Sequence, residues 1–155
     1  MDTPDPNALA GEARALFSAQ HSGVLATLNP EGHPYTSLVD YAPLPDGDAL
    51  FFLSSLAEHR RFLEADPRAS LFVAPAAGAS LQEARLSLEG TCRPAPQGED
   101  LASVYLGKHP QAQRYIAFAD FTFFRFEVRR LRFIAGFGRM DWIAGADFRA
   151  AGEHA

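Results

Sequence analysis

Short apolar segments joined by tight turns dominate the first half of the chain and restrict how it can fold. The segments 23–28 and 33–42 are separated only by Asn29-Pro30-Glu31-Gly32, where proline presets φ and glycine accepts a positive φ. Pro45-Asp46-Gly47-Asp48 then leads into a third apolar segment, 49–53. Connections this short join antiparallel strands and leave no room for the crossovers that parallel strands require. The sequence therefore predicts an antiparallel sheet.

The rest of the chain extends this pattern with further strands and a few helices. Strands are predicted over 69–74, from about 84 to 93, and as a hairpin over 121–128 and 131–135. Helices are predicted over 8–20, 55–65, 100–107 and 111–118. Along the strand from Arg85, polar and apolar residues alternate, which places Leu86, Leu88 and Cys92 in the core. The predicted fold is mainly β with peripheral helices, an antiparallel split barrel of six to seven strands that closes to hide its edges.

Length and composition limit the domain count and the kinds of partner. The chain of 155 residues suits one domain spanning 1–155, with flexible tails over 1–7 and 146–155. A net charge of -5 argues against a nucleic-acid partner. No apolar stretch is long enough to cross a membrane, so no membrane association is expected. The single cysteine, Cys92, excludes an intramolecular disulfide and predicts a reducing, cytoplasmic location.

The junction between the third strand and the helix that follows it has the layout of a phosphate site. An apolar strand runs into Ser54-Ser55, then a predicted helix start, then His59 and Arg60. Ser54 or Ser55 can cap this helix, and Ser55 has capping-box spacing to Glu58. Unpaired N–H groups and the positive end of the helix dipole favour an anion there. The alternative is a capped surface helix with solvated charges.

Other reactive residue types give no recognisable site. His21, His33 and His109 have no cysteine or carboxylate partner at metal-ligand spacing. No Gly-x-Ser-x-Gly elbow for a hydrolase occurs. The segment 136–143 combines flexible glycines with Trp142, a composition that often lines a ligand or a subunit boundary.

Six segments, in order and at matching spacing over about residues 12 to 145, resemble one known superfamily. They are 26–37, Ser54-Ser55-Leu56-Ala57-Glu58-His59, 66–71, Arg85-Leu86-Ser87-Leu88-Glu89-Gly90, Ala119-Asp120-Phe121 and 136–139. The chain resembles the FMN-binding split barrels related to pyridoxamine 5'-phosphate oxidase, and within them most closely the branch of bacterial haem-utilisation proteins.

The resemblance implies a homodimer that binds FMN at two equivalent interface clefts and acts as an oxidoreductase on an unknown small-molecule substrate. The implied cofactor-binding residues are Thr36, Ser37, Leu38, Val39, Tyr41, Ser54, His59, Arg60, Arg85 and Trp142. Ser54 would hold the phosphate, and His59 with Arg60 would form the basic pair beside it. Arg85 would lie against the flavin, where its charge can stabilise the reduced ring. No catalytic acid or base is identified.

Two departures from the family pattern limit what carries over. The chain lacks the C-terminal arginine motif that grips pyridoxamine phosphate, so the resemblance does not extend to oxidation of vitamin B6. The basic pair has His59 where the oxidases typically have arginine, which leaves the phosphate site less charged near neutral pH unless a bound phosphate raises the pKa of His59 and protonates it.

The resemblance to the haem-utilisation branch gives an alternative function, haem binding or haem degradation. In that branch a histidine near the C-terminus ligates the iron, and here the corresponding candidate is His154. Asp120 is the candidate acceptor that would orient the imidazole. A third alternative is a dimer without a cofactor that binds a small ligand, because fold alone does not determine function.

Overall fold

The computed structural model describes residues 6–75, 80–96, 100–136 and 138–152, which form eight strands, four α-helices and a 3-10 helix over Pro110–Arg114. The strands are β1 (Ser22–Leu28), β2 (Pro34–Asp40), β3 (Ala42–Pro43), β4 (Ala49–Ser54), β5 (Arg68–Val73), β6 (Arg85–Pro94), β7 (Phe121–Gly136) and β8 (Arg139–Ala144). The helices are α1 (Pro6–Ala19), α2 (Glu58–Ala65), α3 (Leu101–Lys108) and α4 (Gly145–Gly152). All strand pairs are antiparallel, in the order β2-β1-β5-β6-β7-β4-β3 with β8 paired to β7. The predicted antiparallel split barrel is confirmed.

Strand β4 is buried on both faces, which explains its uninterrupted apolar sequence. Phe51 and Leu53 face the barrel interior. Leu50 and Phe52 face a second apolar cluster, to which α3 contributes Tyr105. Side chains alternate between the faces of a strand, so a strand covered on both sides needs apolar residues at every position. The end of β4 is thereby fixed rigidly between the barrel and α3.

The predicted hairpin of 121–128 and 131–135 is wrong, because both segments belong to the single strand β7. Its first part lies between β6 and β4, and its second part lies between β6 and β8. The pairing with β6 shifts register between Glu89 and Gly90 and leaves Arg129 without a β6 partner. The two residues between the predicted strands are arginines, which do not favour a turn, and a bulge accommodates the extra residue instead.

The segment 136–143, singled out for its flexible glycines and Trp142, mostly forms β8. Ile143 of β8 pairs with Leu131 of β7 and is buried. The turn between the two strands uses Gly136 and Gly138, which have φ values of 143° and 78°. The glycines therefore mark a tight turn, and the remainder of the segment completes the sheet.

The expectation of a flexible tail from residue 146 is wrong for 146–152, which lie in α4. Phe148 is fully buried and packs edge-on against Phe17 of α1, with ring centroids 5.6 Å apart. The Nη1 atom of Arg14 donates to the carbonyl oxygen of Phe148 over 2.9 Å. Helix α1 itself begins at Pro6, inside the other predicted tail. One buried aromatic ring and one guanidinium therefore hold α4 against α1.

The structure also places the single cysteine and shows the lengths of the helices. Cys92 is a free thiol buried in the core, as its strand position predicted, and burial raises the pKa of its thiol. None of the helices in the described ranges is long and apolar enough to cross a bilayer.

Candidate functional site

A pocket of about 230 Å³ opens between the ends of β2 and β4, the start of α2 and the segment that follows α3. We name it the β2–α2 pocket. Its lining residues are Leu38, Val39, Asp40, Phe52, Leu53, Ser54, Ala57, His59, Tyr105, Tyr115 and Phe121. Most of these side chains are apolar or aromatic, and none of these lining residues is a lysine or an arginine. The pocket therefore suits a flat, largely apolar ligand better than an anion.

Five of the residues predicted from the sequence meet at this pocket. Leu38, Val39, Ser54 and His59 line it. Ser37 joins them because its Oγ atom lies 3.1 Å from Nδ1 of His59, within hydrogen-bond distance. The structure thus brings β2 and the start of α2 together at the place where the sequence predicted a cofactor.

The imidazole of His59 lies between solvent and the pocket wall. It is partly buried, and this desolvation lowers its pKa below the usual value for histidine. The ring is therefore neutral near pH 7, with one nitrogen bonded to Ser37. A neutral imidazole is a metal ligand and a weak partner for phosphate.

The turn before α2 does not form the predicted capping arrangement. Helix α2 begins at Glu58, and its N-cap residue, Ala57, makes no side-chain cap hydrogen bond. Ser54 Oγ instead accepts from the N–H of Leu56 over 3.1 Å, which stabilises a turn. The N–H of Ser55 donates to the carbonyl oxygen of Asp120 over 2.7 Å. The predicted capping box of Ser55 and Glu58 is wrong, because the helix starts too late for it.

Arg60 uses its guanidinium within the protein. Its Nη1 atom donates to the carbonyl oxygens of Leu53 at 3.1 Å and of Asp120 at 2.9 Å. Its Nε atom donates to Oε1 of Glu64 at 3.0 Å, and the group lies 5.7 Å from the centroid of the Phe124 ring. Arg60 does not line the β2–α2 pocket. Its position indicates that it holds α2 against β4 and β7.

Tyr41 and Thr36 lie outside the pocket. The Tyr41 side chain is fully buried, its hydroxyl donates to the carbonyl oxygen of Phe17 over 2.6 Å, and its ring stacks on Phe17 at 5.0 Å. The prediction that Tyr41 meets a cofactor is wrong, because β2 ends at Asp40 and Tyr41 turns into the core. Thr36 is exposed on β2 opposite Ala26 of β1 and does not line the pocket.

Arg85 and Trp142 are not brought to the β2–α2 pocket either. Nη1 of Arg85 donates to the carbonyl oxygens of Leu81 at 3.0 Å and Glu83 at 3.3 Å, beside a separate pocket between β5 and β6. Trp142 is half exposed on β8, where the guanidinium of Arg130 lies 4.2 Å from its ring centroid. The Arg85 guanidinium is therefore bonded to the backbone of its own segment, and the Trp142 ring is covered by Arg130.

Sequence reasoning missed the aromatic and acidic side of the pocket. Tyr105 and Tyr115 line it, and burial is the main cause that raises the pKa of both phenols. The carboxylate of Asp40 raises both further, and the phenol of Tyr115 also acts on Tyr105. Phe52 and Tyr115 stack with their ring centroids 5.9 Å apart. The uninterrupted apolar run of β4 was the available signal, because Phe52 had to be covered on its outer face.

Of the two residues predicted for haem binding, Asp120 and His154, the structure describes only Asp120. Asp120 lies beside the turn before α2, where Ser54 Oγ is 3.5 Å from its Oδ2 atom. His154 lies outside the described residues. Within the described ranges, no cluster of three or more histidine, cysteine, aspartate or glutamate residues could hold a metal ion.

Two comparisons with protein sequences identify relatives over most of the barrel. A family model described as pyridoxamine 5'-phosphate oxidase matches residues 9–135. The chloroplastic haem oxygenase HOZ of Arabidopsis thaliana is 35% identical over 131 residues, which cover 81% of this chain and 40% of HOZ. The chain therefore spans well under half the length of that plant relative.

Solved structures agree with this assignment. The structure of a haem-binding protein from Mycobacterium smegmatis is similar with a TM-score of 0.84 and 37% identity, covering 97% of this chain and 62% of that one. A protein of unknown function from Agrobacterium tumefaciens is similar with a TM-score of 0.79 and 29% identity, covering 90% of this chain and 59% of that one. The family match extends over most of the barrel, and the chain belongs to the pyridoxamine 5'-phosphate oxidase family of split-barrel proteins.

Proposed function

We propose that this protein binds haem in the β2–α2 pocket. The observation that carries the proposal is the character of the pocket, in which aromatic and aliphatic walls surround a partly buried imidazole and no lysine or arginine lines the surface. A haem ring is flat and apolar and takes a nitrogen ligand at its iron. The aromatic walls and the imidazole fit the ring and its iron, and the pocket, about 230 Å³ in volume and open on one side, would leave the propionates in solvent, away from Asp40.

The relatives support the same ligand. The mycobacterial protein with 37% identity is described as haem-binding, and its match covers 97% of this chain. The plant relative with 35% identity is a haem oxygenase, although this chain spans 40% of its length. Both names favour the alternative prediction, haem binding, over the flavin oxidoreductase that the sequence placed first.

FMN is less well supported because its phosphate would meet an unfavourable environment. The acidic residue Asp40 lines the pocket, and burial lowers the pKa of His59, so a phosphate would first have to favour protonation of the imidazole against that desolvation. The Nε and Nη1 atoms of Arg60 already donate to Glu64, Leu53 and Asp120, and Arg60 does not line the pocket. A dianionic phosphate needs charge-assisted donors, and the predicted basic pair does not offer them in this arrangement.

In this arrangement the chain's own residues bind and position the ligand. Val39, Leu53 and Phe52 exclude water from one side, and the phenol of Tyr115 provides a neutral hydrogen-bond donor. Ser37 holds the His59 ring in one orientation. When bound, haem supplies the redox chemistry, which belongs to the cofactor.

A bulky substitution inside the pocket tests the location. Ala57→Trp fills the pocket from the turn before α2, whereas Leu56→Trp adds the same ring one residue earlier, at a side chain that is 76% exposed. The added indole would occupy space that the haem ring needs, and a loss of about 1.4 kcal/mol or more in binding free energy corresponds to affinity that is about tenfold weaker or more. Titration of ferric haem into each purified variant, followed by the Soret band, measures this difference.

The control defines the opposite outcome. Leu56→Trp should bind haem like the parent protein, because residue 56 does not line the pocket. Equal affinity of both variants would place haem elsewhere. A parent protein that is yellow as purified and ignores haem would restore the flavin prediction, and a colourless one that binds neither would favour the small-ligand alternative.

Haem degradation is the narrower possibility suggested by the name of the plant relative. The haem-titrated protein tests it when ascorbate is added under air with catalase present. Degradation would bleach the Soret band, whereas binding alone would leave the band in place.

We also propose that the protein is a homodimer, in which the two copies contact each other through the outer face of β2, β1 and β5. Val24 of β1 lies opposite Leu38 on one side and Phe72 on the other. All three side chains are exposed, Leu38 to 75%. Such cross-strand apolar neighbours form a continuous exposed patch that favours association. Leu38 also lines the β2–α2 pocket, so a second copy would cover the pocket's open side.

The variant Leu38→Glu tests this dimer. A carboxylate without a partner in an apolar interface costs about 3 kcal/mol, so the dimer should dissociate about 100-fold more readily. Light scattering after size exclusion, without haem, measures the mass. Val104→Glu on α3 adds the same charge at a side chain that is 40% exposed, and it should leave the dimer intact. A parent protein that runs as a monomer would disprove the interface.

A further inference from the structure

His59 projects from the first turn of α2 into the β2–α2 pocket with one ring nitrogen held and the other available. Nδ1 lies 3.1 Å from Oγ of Ser37 on β2. Nε2 has no hydrogen-bond partner among the described residues. The ring is thus fixed by a neighbouring strand while its second nitrogen is unused within the chain.

This arrangement matches the way proteins present an imidazole to iron. A ligating histidine usually donates its other ring N–H to an oxygen, which fixes the tautomer and the ring orientation. With the proton on Nδ1 and donated to Ser37 Oγ, the lone pair lies on Nε2. We propose that His59 ligates the haem iron through Nε2 and that Ser37 is the positioning residue for its ring. This inference rests on the proposed haem binding and deepens it.

The other described histidines are differently placed. His109 is buried, and its Nε2 atom is bonded to the carbonyl oxygen of Tyr41 at 2.6 Å. His21 packs edge-on against His109 with ring centroids 6.1 Å apart. His33 is exposed in the turn between β1 and β2. None of these three lines the β2–α2 pocket, so His59 is the imidazole that the described residues bring to it.

The contact with His59 gives Ser37 a specific role, which is to orient the imidazole ring. Its partner comes from α2, which lies 22 residues later in the chain. Loss of the oxygen that orients a metal ligand typically weakens metal binding 10- to 100-fold. Ser37→Ala should therefore weaken haem binding by about tenfold while the fold stays intact.

The experiment compares the optical and electron paramagnetic resonance spectra of ferric haem bound to the parent protein and to four variants, which are His59→Ala, Ser37→Ala, His33→Ala and His154→Ala. His59→Ala should lose the spectrum of a histidine-ligated haem, and added imidazole should restore it by filling the space left by the ring. Ser37→Ala should keep the spectrum with reduced affinity. His33→Ala is the matched control and should behave like the parent protein. Circular dichroism and thermal unfolding of each variant show whether it is folded.

The experiment distinguishes a wrong assignment of the iron ligand from a failure of the proposed haem binding. No haem binding by the parent protein would refute the proposed function itself. Binding by the parent with an unchanged spectrum in His59→Ala would overturn only the assignment of the ligand. Loss of the spectrum in His154→Ala but not in His59→Ala would overturn it in favour of His154. Failure of imidazole to restore a folded His59→Ala protein would also contradict direct ligation.

Discussion

Gly90→Ala is expected to destabilise the protein by about 3 kcal/mol. A Cβ atom at this position would lie well inside contact distance of the carbonyl oxygen of Glu127, on the neighbouring strand β7. Gly90 lies at the register shift between β6 and β7, where the two backbones approach closely. The obstacle is main chain, so no side chain can rotate away. Urea unfolding followed by circular dichroism measures the loss.

Gly11→Ala is the matched control in the same protein. Gly11 lies inside α1, and apart from the helix's own neighbouring backbone no atom of the described residues lies within 4 Å of a Cβ built there. Alanine is the better helix former, so this variant should be more stable by about 0.5–1 kcal/mol. Equal effects of the two substitutions would contradict the close approach of β6 and β7.

Asp48→Ala is expected to cost about 3 kcal/mol, the second large effect. Asp48 is 3% exposed. Its Oδ1 accepts from the N–H of Val128 over 3.1 Å, and its Oδ2 accepts from Nε of Arg125 over 3.0 Å. Removing the carboxylate leaves a buried N–H without its acceptor and a guanidinium without its most buried partner. The unfolding free energy from urea titration reports the effect.

Two further variants separate the contributions to that cost. Asp48→Asn keeps an acceptor for Val128 but removes the charge, so it should fall between the alanine variant and the parent protein. Asp46→Ala removes the other carboxylate that contacts Arg125, and its more exposed side chain should contribute about 1 kcal/mol or less. A larger loss for Asp46→Ala than for Asp48→Ala would contradict this view of the cluster.

Most of the barrel could be predicted because local patterns determine it. The turns at Asn29-Pro30-Glu31-Gly32 and Pro45-Asp46-Gly47-Asp48 contain residues suited to tight connections, and the strands they join are present. The alternation along β6 correctly placed Cys92 in the core. These features depend on neighbours in sequence, and sequence reasoning handles such features well.

The errors lie where distant parts of the chain decide the structure. The continuous strand β7 is held by pairing with β6, β4 and β8 at once, and no local signal in its sequence reports those partners. Helix α4 is held by Arg14 and Phe17 of α1, more than a hundred residues earlier. Both elements therefore depend on tertiary contacts that override local expectation.

The structure has a pocket at the strand-to-helix junction where the sequence predicted a cofactor, but the charged groups there are arranged differently from the prediction. The strand-to-helix junction around Ser54 and His59 does line a pocket. The charge of Arg60 suggested a phosphate site, yet its donors bond to carbonyl oxygens that only the folded chain brings near. The aromatic wall came from Tyr105 and Tyr115, which lie about fifty residues away in sequence. Residue type alone therefore could not distinguish an anion site from an apolar one.

Anomalous diffraction at the iron edge, from crystals of the protein grown with ferric haem, tests the central claim most directly. We predict one strong iron peak per chain in the β2–α2 pocket, beside His59 and between the walls formed by Val39 and Tyr115. An iron peak at another surface, such as the exposed face of Trp142, would contradict the account. A pocket filled by flavin in the same crystals would contradict it as well.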